Sequence, residues 1–190
     1  TGYGIDMGLL TNHFELDHFE FEETGDYAIY YKNDPTCDLS ANKGVFTLED
    51  SKINNVHIFD CNKGIRMGSI EYDLGIYNPT CGTLYPHTIE NLELSDLIIE
   101  TITGGDAIRL YGVETSLLSN ITIDDVSGRG ITIGTHSEIT LLQTSIMNTA
   151  NEGFRALGSG KYALHNNVFY NNGDATHEAI EFAFEDSDEH

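Results

Sequence analysis

The arginines of this chain are few and regularly placed. Only four occur, and Arg66, Arg109 and Arg155 each lie between two apolar residues in a short segment. A guanidinium group is a permanent cation, so it can neutralise a carboxylate or the enolate-like charge that develops when a base removes the neighbouring proton. Arg66 and Arg109 are therefore candidate catalytic residues. Lys63 is a candidate base, and Asp106 could bind a metal ion or orient an arginine.

The segment that carries these arginines belongs to a repeat of the form small residue, apolar residue, any residue, apolar residue. Its second member recurs at intervals of 24, 36, 43, 23, 23 and 26 residues, so the basic unit has about 23 residues and two units carry insertions. Self-similarity at such a period is typical of a solenoid, in which each unit stacks on its neighbours. The seven copies begin at Gly4, Ala28, Gly64, Ala107, Gly130, Gly153 and Ala179.

A second alternating segment precedes most copies, so each unit contains at least two short strands. A polar residue stands just before this second strand, and we predict a stacked polar ladder that satisfies backbone groups at a turn. The second segments begin at Phe19, Val56, Leu97, Ile121 and Val168. The predicted ladder consists of His18, Asn55, Asp96, Asn120, Thr144 and Asn167.

These repeated segments resemble the right-handed parallel β-helices of the pectin-lyase-like superfamily over essentially the whole chain. The resemblance implies an all-β, single-stranded parallel β-helix of about seven rungs, forming one domain over residues 1–190. Insertion loops are expected at about 33–43 and 70–88. A β-sandwich would need hairpin reversals instead, and the consensus of leucine-rich repeats is missing. The first copy begins almost at residue 1 without a capping helix, so we expect a fragment, a homo-oligomer or end-to-end stacking with another chain.

In a β-helix the middle residue of each copy points outward, and successive rungs stack about 4.8 Å apart. The stacked copies therefore predict a local basic stripe in a very acidic chain, with Tyr30 and Arg155 as further substrate-binding candidates. The alternative is that neighbouring acids such as Asp106, Glu152 and Glu181 neutralise the arginines. From the first copy to the last, the predicted outward column is Asp6, Tyr30, Arg66, Arg109, Thr132, Arg155 and Glu181.

The two insertions follow the same strand in consecutive rungs, so we expect them to form a wall beside the arginines. The second insertion supplies aromatic residues suited to stacking on sugar rings, although the same rings could simply pack the loop onto the solenoid. Each insertion also contains one cysteine, which suggests a Cys37–Cys81 disulfide and an oxidising compartment, with Cys61 as a free buried thiol. The candidate substrate-binding residues of this loop are Tyr72, Tyr77, Tyr85 and His87.

The charge of the chain argues against two classes of partner. Nine basic and 31 acidic residues give a formal net charge of −22, which opposes binding to nucleic acid and to anionic membrane surfaces. The apolar runs are all shorter than the roughly 20 residues of a membrane-spanning helix, so we expect no membrane insertion.

Proteins of the superfamily mostly cut, epimerise or bind polysaccharides, so the resemblance implies an extracellular or cell- or virion-surface protein that acts on a glycan. The most specific expectation is a polysaccharide lyase for an acidic glycan, with calcium as the candidate cofactor. A glycoside hydrolase would use paired carboxylates, for which Asp6, Asp26 and Asp106 are candidates. Tyr3 to Asp6 resembles the start of the catalytic motif of alginate epimerases, but Met7 and Gly8 follow instead of Pro and His. A non-catalytic segment of a tailspike, adhesin or surface fibre is the remaining alternative.

Overall fold

The computed structural model describes residues 2–7, 13–31, 47–68, 88–134, 137–158 and 160–183, which form eighteen β-strands. The predicted insertion loops fall outside these residues, except that Thr88 is the first residue of a strand. In chain order the strands are β1 (Ile5–Asp6), β2 (Glu15–Glu22), β3 (Tyr27–Tyr31), β4 (Thr47–Glu49), β5 (Lys52–Phe59), β6 (Lys63–Met67), β7 (Thr88–Glu90), β8 (Glu93–Ile102), β9 (Ile108–Leu110), β10 (Val113–Glu114), β11 (Ser116–Val126), β12 (Ile131–Ile133), β13 (Ser137–Leu142), β14 (Ser145–Met147), β15 (Phe154–Leu157), β16 (Gly160–His165), β17 (Val168–Tyr170) and β18 (Ile180–Ala183).

The strands form three sheets in which the described pairings are all parallel. Sheet A has the order β1-β3-β6-β9-β12-β15-β18, so each of its seven strands carries one copy of the predicted repeat. Sheet B has eight strands, namely β16-β13-β11-β8-β5-β2 together with β14 and β17. Sheet C is formed by β10-β7-β4, and the two repeated sequence segments did not predict this third sheet. The predicted parallel β-helix is confirmed.

The core is a set of apolar columns that run along the axis of the solenoid. In sheet A, Ile29 is in register with Ile65, Ile65 with Ile108, and Ile108 with Ile131. These four side chains are fully buried, and so are their counterparts in sheet B, such as Ile58. Alternation along each strand sends these residues inward, and their removal from water is the main force that holds one rung on the next.

The small residue that opens each repeat is required by the close approach of neighbouring rungs. A Cβ atom at Gly64 would lie 2.0 Å from the backbone oxygen of Ala107, and one at Gly130 would lie 2.4 Å from that of Gly153. Each of these oxygens accepts a backbone hydrogen bond from the neighbouring rung and therefore cannot move aside. The first residue of the repeat is therefore small for steric reasons.

Bends in each rung are made by residues with a left-handed backbone. The predicted polar ladder contains such bends in four rungs, at His18, Asn55, Asp96 and Asn120, with φ between 50° and 59°. Asn and Asp tolerate this conformation better than other non-glycine residues because their short side chains can form local hydrogen bonds. This part of the predicted ladder is confirmed.

The last two members of the ladder were predicted one residue too late. The bends lie at Gln143 and Asn166, whose φ values are 51° and 55°. Thr144 is buried instead, and its amide donates to Asn167 Oδ1 at 2.9 Å. The same shift moves the last copy of the second motif, because Val168 pairs with Ser145 and therefore aligns with Thr122 rather than Ile121. The error arose because both the bend residue and the residue after it are polar in these rungs.

We predict that Gly64→Ala lowers the free energy of unfolding by about 1–3 kcal/mol, since its Cβ would overpack the next rung. Thermal or denaturant unfolding monitored by circular dichroism measures the change. Gly2→Ala is the matched control, because a Cβ at Gly2 meets nothing within 4 Å. Equal stability of the two variants would contradict the steric explanation.

Candidate functional site

The predicted outward column exists in the register of sheet A. Tyr30 pairs with Arg66, Arg66 with Arg109, Arg109 with Thr132, and Thr132 with Arg155. Asp6 and Glu181 occupy the same position in the first and last strands. The predicted alignment of the rungs is therefore confirmed, and the members of the column differ in what their side chains contact.

Arg109 forms an ion pair with Asp106, three residues earlier. Its Nε and Nη2 atoms donate to Asp106 Oδ2 at 3.0 and 2.8 Å. Burial alone would lower the pKa of Arg109, but the Asp106 carboxylate raises it, so the net shift is upward. Arg109 therefore stays protonated, and its charge is largely compensated inside the fold.

Asp106 is a nearly buried carboxylate whose hydrogen-bonding capacity is used by the protein. Besides Arg109, its Oδ2 accepts from Thr132 Oγ1 at 2.8 Å, and its Oδ1 accepts from the Arg129 amide at 3.0 Å. A calcium ion would need these oxygens and several others at 2.3–2.6 Å. The described residues contain no cluster of three or more potential ligands for a metal ion. The surroundings of Asp106 therefore do not fit a calcium ion, and of its two candidate roles Asp106 has the one that orients an arginine.

The two arginines nearer the C-terminus also face acids. Arg129 Nε donates a hydrogen bond to Glu152 Oε2 at 2.6 Å. Arg155 Nε lies 2.9 Å from Glu181 Oε2, which makes an ion pair but not a well-oriented hydrogen bond. Burial alone would raise the pKa of Glu152, but a backbone hydrogen bond and Arg129 lower it below its ordinary value. Arginines are thus the counterions of carboxylates that lie within or beside this wall of the solenoid.

Arg66 has different surroundings. Its guanidinium carbon lies 5.8 Å from the ring centroids of Tyr27, Tyr30 and Tyr111, which is within the range of cation–π attraction. Its Nε is buried without a hydrogen-bond partner. Among the described residues, no acid forms an ion pair with it. We call these four residues the Arg66–tyrosine cluster.

Two further residues extend this cluster along sheet A. The ring of Tyr3 stacks on Tyr30 with a centroid distance of 4.5 Å, and its side chain remains partly open to solvent, at 42% exposure of the residue. Lys63 Nζ lies 4.8 Å from the ring centroid of Tyr27 and donates to Asp26 Oδ1 at 2.8 Å. Two cations therefore contact the same tyrosine ring, but only one of them is paired with an acid.

Tyr27 and Tyr111 belong to the site but were not predicted from the sequence. Tyr27 is the residue in register with Lys63, and Tyr111 directly follows strand β9. A search for aromatic residues at the ends of the strands that carry the outward column would have found both. Both rings are almost completely buried, and burial raises the pKa of the Tyr111 phenol, which stays protonated.

Some of the predicted residues lie outside the described part of the chain. These are Tyr72, Tyr77, Tyr85 and His87 of the second insertion, and the proposed disulfide partners Cys37 and Cys81. Their roles remain predictions. Cys61, by contrast, is described as a free and completely buried cysteine, as predicted.

The fold and the repeated wall define a right-handed β-helix, and a comparison with known families agrees. The family model described as a right handed beta helix region matches residues 3–187, so the chain belongs to that family. No curated protein and no solved structure matches the chain significantly. Family membership fits either a carbohydrate-active or a structural β-helix. Within the described residues, no helix is long and apolar enough to cross a membrane.

We predict that Glu152→Gln lowers the free energy of unfolding at pH 7 by about 1–3 kcal/mol, because it leaves Arg129 without its counterion. Glu138→Gln is the control, since its pair with Lys161 is exposed and should be worth about 1 kcal/mol or less. The folded pKa of Glu152 is lowered, so its stabilising effect is present above the ordinary value of 4.5 and is lost as the pH falls below it.

The measurement is chemical denaturation of both variants at several pH values. The difference between wild type and Glu152→Gln should shrink as the pH falls below about 4.5. A difference that stays constant down to acid unfolding would show that the carboxylate charge of Glu152 contributes nothing to stability.

Proposed function

We propose that this chain binds an acidic polysaccharide at the Arg66–tyrosine cluster, and that a lyase reaction is the most specific enzymatic form of this function. The observation that carries the proposal is the state of Arg66. It is the one arginine of the outward column for which no acidic partner exists among the described residues, whereas Arg109 and Arg155 are paired with acids. A carboxylate from a ligand would supply the missing counterion.

The cluster has the chemistry that a uronate sugar needs. A guanidinium group can bind a carboxylate through two parallel hydrogen bonds. Arg66 is only partly buried, so a ligand would contact the terminal nitrogens of its guanidinium group rather than the buried Nε. The three tyrosine rings restrict the guanidinium, so little side-chain entropy remains to be lost on binding. The partly exposed ring of Tyr3 offers a flat apolar face at the edge of the cluster for a sugar ring.

The long-range charge of the chain opposes such a ligand. With a formal net charge of −22, the protein repels a polyanion at a distance, so affinity must come from short-range contacts, above all at Arg66. Both insertions begin directly beyond strands β3 and β6, whose residues form most of the cluster. The aromatic residues predicted for the second insertion would therefore add further contacts beside Arg66.

A lyase reaction makes additional demands. Arg66 would neutralise the carboxylate, and a base would remove the adjacent proton. Lys63 is the candidate base, but it would first have to separate from Asp26 and lose its own proton. Arg109 stays protonated, but its pair with Asp106 compensates most of its charge, so Arg66 is the main cation for the reaction. Binding thus needs fewer changes to the described arrangement than catalysis does, so binding is the broader proposal.

The alternative is a structural β-helix, and the two ends of the described stack favour it. At one end, Phe19 points inward from strand β2 of sheet B and is 43% exposed. At the other end, Phe182 points inward from strand β18 of sheet A and is 45% exposed. Apolar surface of this kind could be covered by another copy that stacks end to end. Either function would operate outside the cell or on a cell or virion surface, where polymeric glycans and fibres occur.

The binding proposal predicts that Arg66→Ala weakens binding of oligogalacturonate or oligomannuronate at least tenfold, the loss expected when a charged hydrogen-bonding partner is removed. Arg155→Ala is the control, because this arginine lies in the same column but is paired with Glu181. Isothermal titration calorimetry at pH 7 measures both. Equal losses in the two variants, or an unchanged affinity in Arg66→Ala, would exclude the cluster as the binding site. Complete absence of binding by the wild type would favour the structural alternative.

The lyase proposal predicts an increase in absorbance at about 235 nm when wild-type protein is incubated with pectate, alginate or glycosaminoglycans, because elimination creates an unsaturated uronate. Arg66→Ala should abolish the signal, and Lys63→Met should abolish it while leaving oligosaccharide binding largely intact. Binding without any absorbance change would identify a glycan-binding protein that is not a lyase.

A further inference from the structure

A second surface feature lies away from the Arg66–tyrosine cluster and shares no residue with it. Four successive rungs turn from sheet B toward sheet A through residues with a left-handed backbone, at Thr101, Asp125, Asn148 and Asn171. The turn leaves an open groove of about 470 Å³. We call it the corner groove, and it is lined by these four residues and by residues that follow them, among them Ile102, Val126 and Ala150.

The lining of the corner groove is mixed and almost uncharged. Hydroxyl and amide side chains share it with apolar residues such as Ile102, Val126 and Ala150, and Asp125 is the one ionisable side chain among the lining residues. A single carboxylate cannot hold a divalent cation, and the absence of a lining cation gives an anionic ligand no counterion. The groove therefore suits a neutral ligand that is rich in hydroxyl groups.

The amide groups of the groove are held in fixed orientations. Asn171 Nδ2 donates to Asn148 Oδ1, and Asn148 Nδ2 donates to Asp124 Oδ1, both at 2.7 Å. Each amide nitrogen has a second hydrogen, for which the described residues provide no acceptor. Donors that are fixed by neighbouring rungs lose little entropy when a ligand binds.

The dimensions of the groove match a short linear chain. The rungs are stacked about 4.8 Å apart, so four of them span roughly 14 Å along the axis. One sugar unit is about as long as one rung is high, so a chain that runs along the axis would present hydroxyls to each rung in turn. The ring of Tyr170, directly before Asn171, is exposed and provides an aromatic surface for a sugar face.

We propose that the corner groove binds an uncharged oligosaccharide of about three units. This site is separate from the acidic-glycan site proposed on sheet A, because its lining residues offer no cation to a ligand. The chain would then hold a polysaccharide at two places, with carboxylate recognition at Arg66 and hydroxyl recognition at the corner.

The test is calorimetric titration with neutral tetrasaccharides, namely cellotetraose, laminaritetraose, maltotetraose, mannotetraose and galactotetraose. We expect at least one to bind, with a loss of at least tenfold in Ala150→Phe, which fills the groove, and in Tyr170→Ala, which removes the ring. Val168→Ala is the matched control, since Val168 lies on the same strand and face as Tyr170 and is also exposed, but it is farther along the strand from the lining residue Asn171. Thermal melting of each variant shows whether it is folded.

The outcomes separate the two sites. Retained binding of the neutral sugar by Arg66→Ala supports an independent corner site, whereas its loss in that variant would place the ligand on sheet A and overturn the inference. Failure of all five tetrasaccharides to bind at millimolar concentration would also overturn it, and so would unchanged binding in Ala150→Phe. Acidic oligosaccharide binding that depends on Arg66 but not on the groove would leave the proposed function intact in either case.

Discussion

The parallel hydrogen-bond ladder between rungs is the constraint on which this structure depends. Because each strand is fixed to the same register as its neighbours, every residue position becomes a column along the axis, and a side chain must be compatible with the ones above and below it. This explains why glycine opens the repeat at positions such as Gly64 and Gly130, where a Cβ would meet the backbone of the next rung. It also explains the buried isoleucine columns and the repeated left-handed bends.

The same constraint creates an electrostatic problem that arginine solves. A carboxylate such as Asp106 or Glu152 in the interior wall of a rung cannot turn away to water, so a nearby arginine must supply its counterion, from the same rung for Asp106 and from the neighbouring rung for Glu152. In a chain with 31 acidic and nine basic residues, most arginines are committed to this structural role. An arginine without an acid is therefore unusual here, and three tyrosine rings take over part of the stabilisation of Arg66.

Much of the fold could be predicted because periodicity is a property of the sequence itself. The register of all seven sheet A strands followed from the spacing of one short motif, and the outward column was identified correctly. The bends at Gln143 and Asn166 were missed because a polar residue that makes a left-handed turn cannot be distinguished from an adjacent polar residue such as Thr144, whose side chain is buried. Composition alone does not encode which of two polar neighbours adopts a positive φ.

The site could be predicted only in part, since a column tells which residues are neighbours but not how their side chains share charge. Arg66 and Arg109 occupy equivalent positions in adjacent strands, yet Asp106 turns one of them into a structural ion pair. The difference comes from the short turn before β9, where Gly105 and Gly128 pack so closely that Asp106 reaches both the Arg129 amide and the Arg109 guanidinium. Tyr27 and Tyr111 provide the corresponding surroundings of Arg66 from two different rungs. Function in this solenoid therefore depends on where the repeat leaves a charge or a hydrogen-bond donor that its own rungs do not satisfy.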